Sequence, residues 1–133
     1  MKSNKTNMNW DDSDRDTIEA LLTVALDSNF SSLMLTGAAD GYPIKYVNPA
    51  FTELTGYTAE EVIGKNPGLL QGPKTDRDLL KELRDKIDGG QAFHGRTVNY
   101  RKDGSEFTME WKVYPINNAK NETTHYLAVQ RAA

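Results

Sequence analysis

The apolar positions of this chain change period three times, from helix to strands, to helices and back to strands. Ile18, Leu21, Leu22 and Ala25 recur at i, i+3, i+4 and i+7, the spacing of one helical face, and Val24 and Leu26 widen that stripe. Asp11, Asp12, Ser13 and Asp14 precede it. All are good N-caps, and carboxylates suit the positive end of a helix dipole, so a helix is expected from there to about Asp27. Ser31 to Thr36 reads as a strand, Gly37-Ala38-Ala39-Asp40-Gly41 as a turn, and Ile44 to Val47 as the returning strand of a hairpin. Asn48 is placed to cap a short helix with Pro49 at its first position, and Gly56 ends it. Thr58 and Glu61 form a capping box for a second short helix, stopped at Gly64. Thr75 is expected to cap a helix from Asp76 to about Asp88, buried through Leu79, Leu80, Leu83 and Ile87 and ended by Gly89-Gly90. Period-two segments close the chain at about Ala92 to Tyr100, Glu106 to Pro115 and Thr124 to Arg131. Asp103-Gly104 marks a tight turn between the first two, and Asn117 to Asn121 a looser polar loop between the last two.

This order predicts an α+β domain: a five-stranded antiparallel sheet with short helices and one longer helix on one face, plus an N-terminal amphipathic helix. Residues 1–10 are expected to be a disordered tether, 11–28 an N-terminal capping helix, and 29–131 the folded domain. The helix has two readings, a cap on its own domain's core or a docking element for the outer sheet face or a second protomer.

Composition narrows the chemistry. The 133 residues make one domain. A net charge of −3 argues against a nucleic-acid partner bound by phosphate electrostatics. No apolar run approaches a membrane span and no signal segment opens the chain, so a cytoplasmic location is expected, with no membrane partner. There are no cysteines, which removes disulfides, thiolate ligands and cysteine nucleophiles. His94 and His125 are the only histidines, too few for a His-built metal site. With no nucleophile pair, phosphate loop or metal cluster, no enzymatic activity is expected.

One stretch organises the rest: Gly64-Lys65-Asn66-Pro67-Gly68-Leu69-Leu70-Gln71-Gly72-Pro73. It resembles the segment G-x-N-C-R-F-L-Q-G that carries the photoactive cysteine in flavin-binding LOV (light-oxygen-voltage) domains of the PAS family. Together with N-P-A-F, L-T-G-Y and E-E-V-I-G-K-N, all before residue 67, it extends the resemblance over about Ser31 to Arg131. Pro67 stands at the cysteine position and Gly68 at that of the following arginine.

The resemblance implies the PAS fold and a non-covalently held flavin, FMN or FAD. It places Asn99 and Gln130 at strand amides that meet the flavin's pyrimidine edge. Asn66 and Gln71 match amides facing the ribityl chain, and Arg84 matches a helix arginine that binds the phosphate. Pro67 and Leu70 belong to the wall. Met109 stands where the family has a second asparagine, and Trp111 lies where it usually has phenylalanine. An amide suits the edge because it carries a donor and an acceptor in one plane. Lys65 and Lys74 are the nearby cations that could replace the arginine lost at Gly68.

Without a cysteine, the implied function is a sensory domain responding to blue light or redox change by flavin reduction rather than adduct formation. The alternative is a ligand-free PAS dimerisation module of a larger signalling protein. A third reading, haem or another small ligand, has only His94 and His125 as imidazole ligands. A homodimer through the N-terminal helix and sheet face is expected, and because the chain stops just after its last strand, so is an output domain beyond it.

Overall fold

The computed structural model describes residues 10–133. The tether expected at 1–10 lies, apart from Trp10, outside them. A 3₁₀ turn at Asp12–Asp14, capped by Asp11, leads into α1 (Arg15–Asp27). Then follow β1 (Ser32–Gly37), β2 (Ile44–Val47), α2 (Pro49–Thr55), α3 (Ala59–Val62), a 3₁₀ turn (Pro67–Leu70), α4 (Arg77–Asp88), β3 (Phe93–Tyr100), β4 (Glu106–Asn117) and β5 (Thr123–Ala132).

The five strands form one antiparallel sheet in the order β2-β1-β5-β4-β3. The first and last strands are therefore neighbours near its centre, in a register that sets Ser32 opposite Gln130. Pleating turns Met34, Met109, Trp111, Val113, Tyr126 and Ala128 to the inner face, where Phe51, Val62, Leu70 and Ile87 complete the buried core. Leu79, Leu80 and Leu83 of α4 pack against that core, half-buried.

The local chemistry explains most boundaries. Asn48 caps α2 by accepting from the Phe51 amide, and Gly56 closes that helix in the left-handed region at φ 81°. Thr58 and Glu61 complete the capping box of α3. One expected cap is displaced: α4 is capped by the Asp76 carboxylate, which accepts from the Leu79 amide, and begins at Arg77. Thr75 is buried and turned elsewhere, donating to the Val98 carbonyl at 2.7 Å and accepting from the Gly72 amide at 3.0 Å. Both residues are competent caps; the tertiary bond to β3 decides between them.

Helix α1 buries none of its residues. Leu21, Leu22 and Val24 are 50%, 53% and 64% exposed. Two ties hold its C-terminal end: Tyr46 donates its hydroxyl to Asp27, and the Asn48 side chain donates to the Leu26 carbonyl at 3.0 Å. Tyr114 and Ile116 leave further apolar surface exposed on the outer sheet face. Among the described residues, no helix is long and apolar enough to cross a membrane.

Candidate functional site

Between the inner sheet face, α4 and the Pro67–Leu70 turn lies a cavity of about 150 Å³. One water needs only ~10–15 Å³ on this scale, so the space suits a larger guest. Asn66, Pro67, Leu70, Gln71, Arg84, Asn99, Met109, Trp111 and Gln130 all line it. Lys65 and Lys74 do not; Lys74 is paired with Glu106 at 3.2 Å. The histidines lie elsewhere too. His94 meets Glu110 at 2.6 Å on the outer sheet face, and the His125 ring is bonded to Thr124.

The polar wall is uneven in what it leaves free. Asn99 is buried at 8% exposure. Its Nδ2 donates only to the Met109 sulfur, at 3.4 Å, and a thioether is a weak acceptor. Its Oδ1 has no protein partner among the described residues, so this carboxamide retains hydrogen-bonding capacity towards a guest. Gln130, 3% exposed, accepts at Oε1 from the Ser32 hydroxyl at 2.9 Å. Gln71 accepts at Oε1 from the Arg77 guanidinium at 2.6 Å, and Arg77 also donates to the Gly72 carbonyl at 3.3 Å. The acceptor ends of both glutamines are thus occupied, and their amide ends are the ones left to a guest.

Asn66 is different. Its Oδ1 accepts from the Gly68 amide at 2.7 Å and its Nδ2 donates to the Gly41 carbonyl at 2.6 Å. Both ends of this carboxamide are committed within the protein, tying the β1–β2 loop to the 3₁₀ turn. It lines the cavity as architecture. Gly68 is bound up with the same bond, since a Cβ there would stand 2.8 Å from Asn66 Oδ1.

The mouth is formed by α4 and the β1–β2 loop. Arg84 is exposed there and makes no ion pair or side-chain hydrogen bond among the described residues. Tyr42, at φ 45°, closes the opposite side by donating to Asp88 at 2.8 Å and packing edge-on to Tyr126 with ring centroids 6.0 Å apart. Burial and that bond to Asp88 push the Tyr42 phenol up to about 12, so it stays a neutral donor near neutral pH. The remaining walls are apolar, supplied by Met34, Leu70, Leu80, Leu83, Ile87 and Val113. Trp111 stands among them, tilted 50° to Phe93 with centroids 6.3 Å apart.

This donor set fits a flavin in kind: apolar faces for the ring, amides at Asn99, Gln130 and Gln71 for its polar edge and side chain, and the cation Arg84 for a phosphate. It is leaner than the family pattern by one amide at Met109 and one cation at Gly68. Sequence reasoning missed Met34, Thr36, Tyr42, Thr97 and Tyr126 as wall residues, and Arg77 and Ser32 as partners of the wall's glutamines. Period-two alternation from Gln130 and Asn99 would have found most of the strand residues. The contacts of Tyr42 and Arg77 carry no comparable signal.

Behind Trp111 and Gln130, on the outer sheet face, Glu110 takes bonds from His94 and Arg131, the latter at 2.8 Å, with Arg96 3.8 Å away. The His94 bond, then those from Arg131, hold its carboxyl down at about 2.

Comparison with known proteins follows the same lines. A family model for the PAS domain matches residues 31–131. Phototropin-2 of Oryza sativa subsp. japonica is 39% identical over 88 residues, which is 66% of this chain and 10% of that protein. Protein TWIN LOV 1 of Arabidopsis thaliana is 38% identical over 91 residues, 68% of this chain and 23% of that protein. The chain thus spans less than a quarter of the length of these curated relatives. The light state structure of the blue-light photoreceptor Aureochrome1 LOV superposes with a TM-score of 0.75 at 31% identity, covering 84% of this chain and 88% of that one.

Proposed function

Because this chain belongs to the PAS domain family, in its LOV branch, we propose that its cavity binds a flavin non-covalently and that the domain signals blue light or redox change through reduction of that flavin. The observation that carries the reading is the convergence, on one otherwise apolar cavity, of an Asn99 carboxamide whose oxygen has no protein partner among the described residues, the amide end of Gln130, and an Arg84 without an ion pair among them. No fully buried side-chain polar atom among the described residues lacks a partner, so the free oxygen of Asn99 opens onto the cavity, where a guest can use it.

A bound flavin supplies electron-accepting chemistry on excitation or in a reducing environment. The chain's own residues set the rest. The sequence has no cysteine, and Pro67 lies at the wall position of the family's thiol, so the response has no thiol adduct to pass through. Trp111 is an oxidisable ring in the wall. Gln130 offers its Nε2 donor to the cavity and, sitting on a central strand, can carry a changed hydrogen bond into the sheet. Arg84 is placed to hold a phosphate at the mouth. The exposed apolar residues of α1 and of the outer sheet face support a homodimer as the receiver of the signal. No catalytic role is assigned to this chain.

The test is the visible spectrum of protein purified from a flavin-replete host. A structured blue absorption band, surviving illumination without bleaching to an adduct and convertible by a chemical reductant, supports the proposal. A colourless protein that takes up neither FMN nor FAD overturns it and leaves the ligand-free dimerisation module.

A further inference from the structure

We propose that Ser32 is a positioning residue: its hydroxyl sets which end of the Gln130 carboxamide faces the cavity and, through Asn48, ties that choice to helix α1. The inference deepens the reading of the cavity above, and rests on it for what would move Gln130.

Ser32 faces Gln130 directly across the β1–β5 ladder, and both are 3% exposed. Gln130 lines the cavity, and Ser32, its cross-strand neighbour on the same face, is not among the lining residues. By donating to Oε1 at 2.9 Å, the hydroxyl holds the acceptor end of the carboxamide and leaves Nε2 as the cavity-facing donor. Among the described residues no other group bonds to that carboxamide, so Ser32 alone of them fixes its orientation by a hydrogen bond.

A hydroxyl is both donor and acceptor. If the carboxamide turned over, Ser32 could accept from Nε2 as readily as it now donates to Oε1. Neither orientation would orphan a buried polar group at this point, where an unmade bond is costly. The guest in the cavity would therefore choose between two states that the protein itself holds nearly level. Alanine at 32 would remove the partner of both states. Threonine would keep it, and its branched side chain suits a strand.

The second half of the path runs along β1. The residues on either side of Ser32 are bonded to one side chain. Asn48 Nδ2 donates to the Ser31 carbonyl at 2.9 Å, and Asn48 Oδ1 accepts from the Leu33 amide at 2.9 Å. The same Nδ2 donates to the Leu26 carbonyl in the last turn of α1 at 3.0 Å. A shift of Ser32 is thus a shift of the two backbone groups that Asn48 grips, and that grip is one of the two ties on the C-terminal end of α1.

Both halves are testable on flavin-free protein by nuclear magnetic resonance. Ser32→Ala should shift and broaden the Gln130 side-chain amide signals, and Ser32→Thr should restore them. Unchanged Gln130 signals in Ser32→Ala overturn the positioning role. For the link to α1, Gln130→Leu should change backbone hydrogen exchange over residues 24–28 by about threefold or more in the wild-type background. In the Ser32→Ala background it should add nothing, the signature of coupling in a double-mutant cycle. An equal change in both backgrounds, or none in the wild type, overturns the link; a general loss of stability would not produce this pattern. Adding FMN and, separately, FAD to the same samples then separates the two ideas, because failure to bind either flavin refutes the cofactor reading while the Ser32 result stands on its own.

Discussion

Replacing Asn48 by alanine tests how the domain holds its N-terminal helix. The side chain is 1% exposed and makes four bonds: Oδ1 accepts from the amides of Leu33 and Phe51, and Nδ2 donates to the carbonyls of Leu26 and Ser31. That is the full capacity of an asparagine. The Phe51 amide also bonds the Asn48 backbone carbonyl at 3.0 Å, so the loss there is the cap itself, about 1 kcal/mol. The Leu33 amide loses its side-chain acceptor in a buried strand, a cost of ~1–3 kcal/mol. The two carbonyls belong to half-buried residues and reach water, at ~0.5 kcal/mol each. The sum is about 4 kcal/mol, which for a domain of this length lowers Tm by roughly 12 °C at ~3 °C per kcal/mol. Circular dichroism melts measure that fall, and hydrogen exchange should show α1 opening more readily than the sheet. Asn48→Asp keeps the two acceptor bonds and loses both donors, so it should loosen α1 while the start of α2 stays protected. A fall in Tm below ~3 °C for Asn48→Ala would refute the argument, since at ~3 °C per kcal/mol it would leave the side chain worth little more than its cap.

Three further outcomes follow from the same geometry. Arg84→Ala should weaken FMN binding about tenfold, the ~1.4 kcal/mol expected of one exposed charge-assisted contact, while riboflavin binding is unchanged; titration of flavin fluorescence distinguishes the two. Gly68→Arg, which restores the family's cation, should fail to tighten FMN binding, because the new Cβ would stand 2.8 Å from Asn66 Oδ1 and displace the bond that shapes the turn; tighter binding without loss of Tm would refute this. The bonds from His94 and then Arg131 hold the Glu110 carboxyl down at about 2 in the folded state, below its ordinary value of 4.5. Its stabilisation is therefore present above pH ~4.5 and lost as pH falls towards about 2, and Glu110→Gln should flatten the acid limb of the stability profile over that window in urea melts.

Much of this fold is legible in the sequence because its punctuation is local. Asn48-Pro49, the Thr58–Glu61 box and Asp103-Gly104 each fix a boundary from within a few residues. Where two local solutions compete, the sequence does not choose: Thr75 and Asp76 can each cap α4, and the decision is made by the carbonyl of Val98, 23 residues away. The Pro67–Leu70 turn is too short to show a period. The strand amides Asn99 and Gln130 could be assigned to the cavity by alternation and by the family's pattern. What Asn66 does could not, since its second partner is the Gly41 carbonyl in another loop. The same holds for Arg77, whose grip on Gln71 looks in sequence like any surface charge at the start of a helix.

The placement of β1 beside β5 has a practical consequence. The chain enters the sheet at Ser32 and leaves it just past Gln130, and these two residues face each other across one ladder, a strand spacing of about 4.8 Å. A host protein could receive residues 32–131 in a surface loop with hardly any change in the distance its own chain must span. The two junctions would then flank the polar end of the cavity. A fusion made this way would need no long rigid linker, because any change in the angle between the paired strands would reach the host directly as a torque on both of its severed ends.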